Sequence, residues 1–539
     1  ADTLQSVVDG IVAQSGQKGS DLATAETLAQ QLSDFYSDPD EIPKRLALFK
    51  TNIGSLGTWL NTAGYAPLEI DYISFSQPDS DIQPANRNFF VNLWYSVNQF
   101  IGSFVIDYNA IGSMTTQTDE DQTIEVWMSA GTVAGNGGQS AGRDQFQTLR
   151  SMINDQYTKE TGNEVELSLV NVGVLLSAVV AGIGPDVSLG VARTEPVNYA
   201  IRGAAVDLTQ FEDFNEVSKR FSEQALVSST YDDGQHVGVY GLPETQTFQV
   251  LFYRKDVLAE LGLSIPETWD DVINCITVLN KNSLEFGLPV STTLDPNGGI
   301  LTFYSLLLQN GGTLYLDDQT GVNLYNENAT VAFKEWTNFY TNYDLPLTYD
   351  FQNRFRTGEM PLGISGYTLY NTLSVAAPEI NGLWDFTSVP GTVQEDGSID
   401  HSNALDVTYT IILGDTDKKE LSWEFLKWWS SADTQTQYGT ELECILGPAA
   451  RYNTANLEAF ERLPWTTDEI NSLEGQLENA YALPQIPGSY FLTRHINNAF
   501  YKVRYAGTDP KDTLTDYAKT IDAEITKKRQ EFGLPTAED

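Results

Sequence analysis

The stretch VGVYGLPETQTFQVLFYRK, residues 237–255, carries the strongest indication of fold in this chain. An apolar run at 237–240 predicts a short strand, and a second apolar run at 248–253 predicts another. The polar residues at 243–247 predict a turn between the two strands. This turn therefore holds a compact set of hydrogen-bonding groups between two buried segments: Glu244, Gln246 and Thr247.

Strand and helix patterns alternate upstream of this stretch. A strand is predicted at 124–128, then a Gly/Ser-rich loop at 129–142, an amphipathic helix at 143–161 and further strands at 164–170 and after GPDV, residues 184–187. This βαβαβ order predicts a mostly parallel sheet with right-handed crossovers. Because ligands of open α/β sheets bind beyond the carboxyl ends of strands, the loop after Trp127 and the residues after Asp186 are expected beside a ligand.

Helical and extended patterns continue downstream. Thr268 is expected to cap a helix that begins at Trp269, with two aspartates in its first turn. Further helices are predicted at 303–311, 331–342, 418–438 and 512–532, and a further strand at 360–365. The segments 389–391 and 408–413 are expected to return the chain to its first lobe.

The first 122 residues have a helical pattern that differs from the rest. Two apolar stripes follow helical spacing, one of Leu22, Leu28, Leu32 and Phe35 and one of Leu46, Phe49, Ile53, Leu56 and Leu60. A polar linker is expected at 115–123. The apolar segment Phe89–Ile106 approaches the length of a membrane span. Its internal Asn, Gln and Ser residues favour a buried helix, with an interfacial or membrane segment as the alternative.

Composition excludes several classes of function. The chain has 73 acidic and 31 basic residues and a formal net charge of -42, which argues against nucleic acid and anionic lipid as partners. Cys275 and Cys444 cannot form a disulfide framework, and both are expected to be buried free thiols. The three histidines have no metal-binding spacing, and neither a GxSxG nor a GxxxxGK[ST] motif occurs. We therefore expect no metal and no cofactor.

Several short motifs occur in an order that resembles one known family. They are GPDV, the crossing at 240–255, PETWDD at 266–271, the pair Gly311–Gly312, GISGY at 363–367, VPGT at 389–392, EFLKWW at 424–429 and ILGPAARY at 445–452. This order resembles the carbohydrate-type, maltodextrin-binding-like solute-binding proteins of bacterial ABC importers over residues 124–532.

The resemblance implies an α/β, two-lobed periplasmic-binding-protein-like fold with a hinge and a central cleft, plus an N-terminal helical extension at 1–122. Lobe 1 is expected at 123–246 and 388–445, and lobe 2 at 247–387 and 446–539. It further implies a monomeric extracellular protein, anchored to the outer face of the cell membrane, which captures an oligosaccharide by hinge closure. Such a protein delivers its ligand to an ABC transporter permease and is not an enzyme.

Sugars present apolar faces and a ring of hydroxyls, which aromatic planes and planar polar groups bind. Arginine offers a fixed fork of donors for neighbouring hydroxyls or for a uronic carboxylate. The candidate ligand-binding residues are Trp127, Ser129, Asp186, Arg193, Glu244, Gln246, Tyr304, Tyr367, Arg451, Tyr490 and Arg494. The alternatives are a core position for Trp127 and Tyr304, a turn cap for Asp186 and a packing role for Tyr367.

Two other functions remain open at the level of sequence. The same cleft could belong to a glycosidase with paired carboxylates, for which the many acidic residues offer candidates. The fold could also bind a peptide, a polyamine or another small solute. Turnover of an oligosaccharide would identify the enzyme, whereas saturable heat without turnover would identify the binder.

Overall fold

The structure is a computed structural model that describes residues 1–15, 22–64, 122–130, 142–171, 173–291 and 298–536. It divides into two compact units, Ala1–Asn109 with Tyr349–Arg354, and Ala110–Thr348 with Phe355–Asp539. The predicted helix Phe89–Ile106 and most of the linker at 115–123 lie outside the described residues. Within the described ranges, no helix combines the length and apolar character needed to span a bilayer.

The first unit contains three described helices, α1 (Asp2–Ser15), α2 (Ala23–Ser37) and α3 (Ile42–Gly64). The predicted stripe of α2 is confirmed where Leu28 and Phe35 are buried, and Phe35 meets Phe49 of α3 edge to face at 5.4 Å. The predicted stripe of α3 is less buried than expected, since Leu46 is 39% exposed. This unit is therefore helical in its described part, as predicted.

The second unit is built on one sheet of nine described strands in the order β2-β1-β3-β12-β6-β8-β7, with β13 beside β12 and β9 beside β6. Because β1 is parallel to both β2 and β3, the predicted βαβαβ arrangement is confirmed. The prediction of a mostly parallel sheet is wrong, since β12 is antiparallel to β3 and β6, and β6 is antiparallel to β8 and β9. The strands, including two short hairpin pairs, are β1 (Thr123–Ala130), β2 (Glu164–Asn171), β3 (Val187–Val191), β4 (Thr230–Asp232), β5 (Val237–Val239), β6 (Leu242–Arg254), β7 (Phe286–Gly287), β8 (Leu362–Gly366), β9 (Trp384–Thr387), β10 (Thr392–Val393), β11 (Ile399–Asp400), β12 (Asn403–Ile412) and β13 (Ala480–Ala482).

The remaining described helices belong to the second unit, except that the first part of the helix Phe351–Thr357 belongs to the first unit. They are α4 (Arg143–Met152), α5 (Thr158–Thr161), α6 (Val174–Ala181), α7 (Glu195–Ala200), α8 (Phe214–Ser218), α9 (Glu223–Leu226), α10 (Lys255–Leu261), α11 (Trp269–Lys281), α12 (Gly298–Gln309), α13 (Glu327–Thr341), α14 (Phe351–Thr357), α15 (Leu369–Ala376), α16 (Lys419–Trp429), α17 (Ala432–Leu446), α18 (Leu457–Arg462), α19 (Thr467–Leu477), α20 (Leu492–Ala506) and α21 (Pro510–Glu531). A π-helical turn, Ile153–Tyr157, links α4 to α5.

Side-chain caps explain where two of these helices begin. Thr268 caps α11 as predicted, and the Asp271 carboxylate returns a bond to the Thr268 backbone in a capping box. The single helix predicted at 418–438 is wrong. It is divided into α16 and α17, because the Ser431 side chain accepts from the Thr434 amide and starts a new helix.

Strand β6 corrects the central prediction of a turn at 243–247. These residues belong to a continuous strand of 13 residues. The first part, Leu242–Phe248, pairs with β12, whereas Gln249–Arg254 pairs with β8 and β9. The strand therefore runs through both halves of the sheet and changes partners just after Phe248. Helix α10 follows it directly.

The larger hydrophobic core lies between β6, β8 and the helices α11, α12, α13, α20 and α21. At its centre Trp336 stacks on Phe500 with ring centroids 4.4 Å apart. Cys275 is buried in this core, as predicted. The corresponding prediction for Cys444 is wrong, because its side chain is exposed near the end of α17.

Candidate functional site

Polar side chains line β6 and β12 where β6 changes partners. The hydroxyls of Thr245 and Thr408 lie 2.6 Å apart, and Thr247 lies opposite Asp406 in the ladder. Because alternate residues of a strand share a face, these four side chains project from one face of the strand pair. Thr247 is 6% exposed, and its hydroxyl has no hydrogen-bond partner among the described residues.

A buried ion pair lies on the same face. Arg193, which follows β3, donates from Nη1 to Oδ1 of Asp406 at 2.7 Å. Both side chains are buried, at 6% and 1% exposure. Burial of either charge alone would be costly, so each side chain is the other's counter-charge. Arg193 was a predicted ligand-binding residue, and the structure now gives it an internal partner.

Tyr315, in the segment after α12, lies near this ion pair. It follows the Gly311–Gly312 turn after α12, and Gly311 has φ +68, a backbone conformation that favours glycine. Tyr315 is 7% exposed, its hydroxyl has no partner among the described residues, and the positive charge of Arg193 acts on it. Burial raises the pKa of Tyr315, so the phenol stays neutral.

Tyr304, another predicted ligand residue, lies next to Tyr315 in the core. Its hydroxyl donates to the Ala482 carbonyl at 3.2 Å, and burial raises its pKa. The structure thus places Tyr304 in the core position that the sequence left open as the alternative.

Gln246 projects from the opposite face of β6. Its side chain is fully buried, and neither Oε1 nor Nε2 has a hydrogen-bond partner in the described part of the chain. Its backbone is fixed, since its amide donates to Asn453 and its carbonyl accepts from Tyr367 at 3.1 Å. A rigid main chain therefore holds a carboxamide whose hydrogen-bonding capacity is unused.

Tyr367 was expected to offer an aromatic platform to a sugar. In the structure it is 1% exposed, and its ring packs against Phe248, Phe460 and Trp465 at centroid distances of 4.7, 6.0 and 6.2 Å. Burial raises its pKa. This is the packing role that the sequence left open, and it gives the ring no open face in this structure.

Glu244 joins three strands. Its Oε2 accepts from the Gly190 amide of β3 and from the Thr410 hydroxyl of β12, both at 2.7 Å. Burial raises the pKa of Glu244, and these bonds with the nearby Trp429 and Tyr452 side chains offset part of that rise. The carboxyl thus holds the centre of the sheet together, so its role here is structural.

Arg451 is also occupied. It donates from Nε and Nη2 to the two carboxylate oxygens of Glu443 at 3.0 and 2.9 Å, and its guanidinium lies 4.5 Å from the centre of the Trp465 ring. Such a bidentate pair fixes the guanidinium and leaves it electrically balanced.

Trp127, Ser129 and Asp186 lie on the parallel strands. Trp127 and Ser129 are half-buried in β1, and the Trp127 indole donates to Glu125 at 2.6 Å. Asp186 precedes β3 and accepts from the Glu125 amide at 2.8 Å and from the Thr416 hydroxyl. It therefore lies at the amino end of β3, away from the carboxyl ends where ligands of such sheets bind.

Tyr490 and Arg494 lie together at the start of α20. Tyr490 is 38% exposed and contacts the Phe491 ring at 4.2 Å, and the exposed Arg494 guanidinium lies 5.1 Å from the same ring. The structure brings these two residues to each other but records no contact between them and the ion pair.

The sequence interpretation missed Asp406 and Tyr315 and did not select Thr247. The alternating polar residues of NALDVTYTII, 403–412, were a signal for Asp406, and the Gly311–Gly312 turn was one for Tyr315. In the part of the chain that the structure describes, no group of three or more His, Cys, Asp and Glu side chains could hold a metal ion.

A family profile matches residues 140–436, more than half of the chain, and its description is bacterial extracellular solute-binding protein. The chain belongs to this family. The recognition made from motif order is therefore confirmed.

Individual relatives of this solute-binding protein agree with the family. The arabinooligosaccharide-binding protein of Halalkalibacterium halodurans is 25% identical over 323 residues, 54% of this chain and 66% of the relative, which is just under two thirds of its length.

Solved structures share the fold at low identity. The sugar-binding protein MalE of Xanthomonas citri has a TM-score of 0.61 at 17% identity, covering 76% of this chain and 99% of its own. The cyclic alpha-maltosyl-1,6-maltose binding protein of Arthrobacter globiformis has a TM-score of 0.59 at 17% identity, covering 75% and 99%. The predicted two-lobed α/β fold is confirmed.

Proposed function

We propose that this solute-binding protein captures an oligosaccharide between its two lobes and delivers it to an ABC importer. The relatives support this choice of ligand, since one is named for arabinooligosaccharides and another for a cyclic maltosyl-maltose. One observation in the chain carries the proposal. Two buried hydroxyls without partners among the described residues, those of Thr247 and Tyr315, lie beside the Arg193–Asp406 ion pair.

Such groups are costly to leave unpaired. A buried donor or acceptor without a hydrogen bond costs about 1–3 kcal/mol, and most buried polar groups in proteins are therefore paired. A sugar hydroxyl both donates and accepts, so it can pair with a threonine or a tyrosine hydroxyl. A bound ligand would supply the hydrogen bonds that these buried groups lack in the empty site.

The two halves of the sheet give the mechanism. The strands β6 and β12 and the segment around Asn453, which is hydrogen-bonded to β6, connect them at this point. A hinge of few strands bends at low cost, and a ligand that touches both lobes stabilises the closed state. Thr247 on the shared strand and Tyr315 beyond α12 would supply contacts from the hinge and from lobe 2.

Several further properties belong to the same proposal. The lobes are those expected from the sequence, 123–246 with 388–445 and 247–387 with 446–539. The protein acts outside the cell as a monomer, anchored to the membrane, and performs no catalysis. Of the predicted site residues, Arg193 would lie closest to the proposed ligand, while Trp127, Ser129, Tyr490 and Arg494 would act at its periphery.

A thermal-shift screen against mono- and oligosaccharides tests this function, because a ligand of the native state raises stability by mass action. We expect a neutral oligosaccharide to raise the melting temperature and to lower the radius of gyration in solution scattering. Binding without compaction would refute hinge closure. Release of shorter sugars during incubation would instead favour the glycosidase.

A further inference from the structure

We propose that Asp406 makes this site selective for uncharged sugars, because it neutralises Arg193 and so removes the attraction for carboxylated ones. This inference rests on the proposed function and adds to it the charge class of the ligand and the residue that determines it.

The geometry of the ion pair carries the first step. Arg193 would be a strong receptor for a uronic carboxylate if it were unpaired, because its planar guanidinium matches carboxylate geometry. Here its Nη1 is 2.7 Å from Oδ1 of Asp406, and Asp406 is the less exposed of the two, at 1%. An anionic ligand that reached Arg193 would meet this second carboxylate and would be repelled by it.

The groups that remain for the ligand are neutral. Thr247, which lies opposite Asp406 across the strands, offers a hydroxyl. Tyr315 offers a phenol whose pKa is raised by burial. A charged ligand enclosed beside these groups would lack a counter-charge, and an isolated buried charge is costly. The same balance excludes cationic solutes, because the Asp406 carboxylate is already paired.

A second buried arginine forms a similar pair elsewhere in the fold. Arg451 is held by Glu443 through two hydrogen bonds, and its guanidinium lies over the Trp465 ring. Each of the two pairs consists of one arginine and one carboxylate, and they lie at different places. This makes Glu443 a matched control for Asp406.

The experiment compares dissociation constants for neutral, anionic and cationic probes by calorimetric titration. The neutral probes are maltotetraose and arabinotriose, the anionic probe is trigalacturonate, and the cationic probe is the glucosamine trimer. Wild-type protein should bind a neutral probe and neither charged probe. Asp406→Asn should improve trigalacturonate binding relative to the neutral probe by about tenfold or more, since the Asp406 carboxylate then no longer neutralises the charge of Arg193, and hydrogen bonds to charged groups are the stronger ones.

The controls separate charge from stability. Glu443→Gln should leave the ratio of anionic to neutral binding unchanged. The double variant Arg193→Gln, Asp406→Asn replaces the ion pair by neutral side chains and should lose the gain for trigalacturonate. Melting curves identify any variant that fails to fold. If Asp406→Asn does not fold, the proposal is tested by the ratio of anionic to neutral binding in wild-type protein and in the double variant.

Each failure has its own meaning. If wild-type protein binds trigalacturonate or the glucosamine trimer as tightly as the neutral probes, the selectivity is refuted while a solute-binding function stands. If a folded Asp406→Asn variant keeps the wild-type ratio, or if Glu443→Gln changes it, Asp406 is not the determinant. If none of the probes binds, carbohydrate capture itself is refuted, and this inference with it.

Discussion

Replacement of Tyr315 by phenylalanine separates a ligand-binding group from a structural one. The substitution removes only the hydroxyl and keeps the ring, which packs in the large core. In the wild-type structure this hydroxyl is buried and has no partner among the described residues. The variant should therefore bind the ligand less well and yet be at least as stable as wild type.

The magnitudes follow from the cost of unpaired groups. A buried hydroxyl without a partner costs about 1–3 kcal/mol, so its removal should raise the free energy of unfolding by about 1 kcal/mol in the absence of ligand. A hydrogen bond from this hydroxyl to the ligand contributes about 0.5–1.5 kcal/mol. Its loss should weaken binding by a factor of roughly 2–10.

Chemical denaturation and calorimetric titration measure the two effects on the same samples. Tyr340→Phe is the matched control, because the Tyr340 hydroxyl is also buried but donates to the Leu288 carbonyl at 2.7 Å. That variant should lose about 1 kcal/mol of stability and keep its affinity. Our reasoning is refuted if Tyr315→Phe behaves like Tyr340→Phe, with lower stability and unchanged affinity.

Three further changes test other parts of the structure. Tyr367→Ala should lower the free energy of unfolding by about 3–5 kcal/mol, because a fully packed ring is removed, and a stable variant with tenfold weaker binding would contradict the packing role. Glu244 has a raised pKa, so the folded protein keeps a proton that the unfolded chain releases above about pH 4.3, and stability falls as pH rises through this window. Glu244→Gln should remove this pH dependence. Denaturation curves should therefore show that the free energy of unfolding of the variant rises relative to that of wild type from about pH 4.5 towards neutrality. If it falls instead, the Glu244 carboxylate is ionised in the folded protein. A chain that starts at Asp121 should fold and bind, as circular dichroism and titration will show, and an insoluble product would place the first unit in the core.

The sequence predicted the sheet and most of its helices because they depend on local patterns. The parallel strands around Trp127 and the capped helix after Thr268 each carry their signal within about 20 residues. The division after Trp429 was missed because the apolar stripe continues on both sides of Ser430 and Ser431, so that the whole segment has the pattern of one helix. A single N-cap hydrogen bond decided that boundary.

The polar turn at 243–247 was predicted because proline and polar residues are typical of turns. In the fold, β12 pairs with one edge of this segment and residues 453–455 with the other, so the polar side chains are enclosed by strands. Pro243 is tolerated because it lies where the register between β6 and β12 shifts. No local pattern contains these partners.

The candidate site shows the same limit. Arg193 was selected from its position after β3, but Asp406, which determines its charge environment, is 213 residues away in the chain. Tyr367 and Glu244 were selected because they follow strand signals. Their distant neighbours, the aromatic rings around Tyr367 and the amide of Gly190, turn them towards the interior.

The position of β12 in the sheet sets the order in which this chain can fold. β12 lies between β3 and β6, yet it is synthesised about 150 residues after β6. Until it leaves the ribosome, the facing edges of β3 and β6 have no partner, and an unpaired apolar edge promotes aggregation. Mild substitutions in β12 should therefore reduce the yield of folded protein more than they reduce the stability of the molecules that do fold.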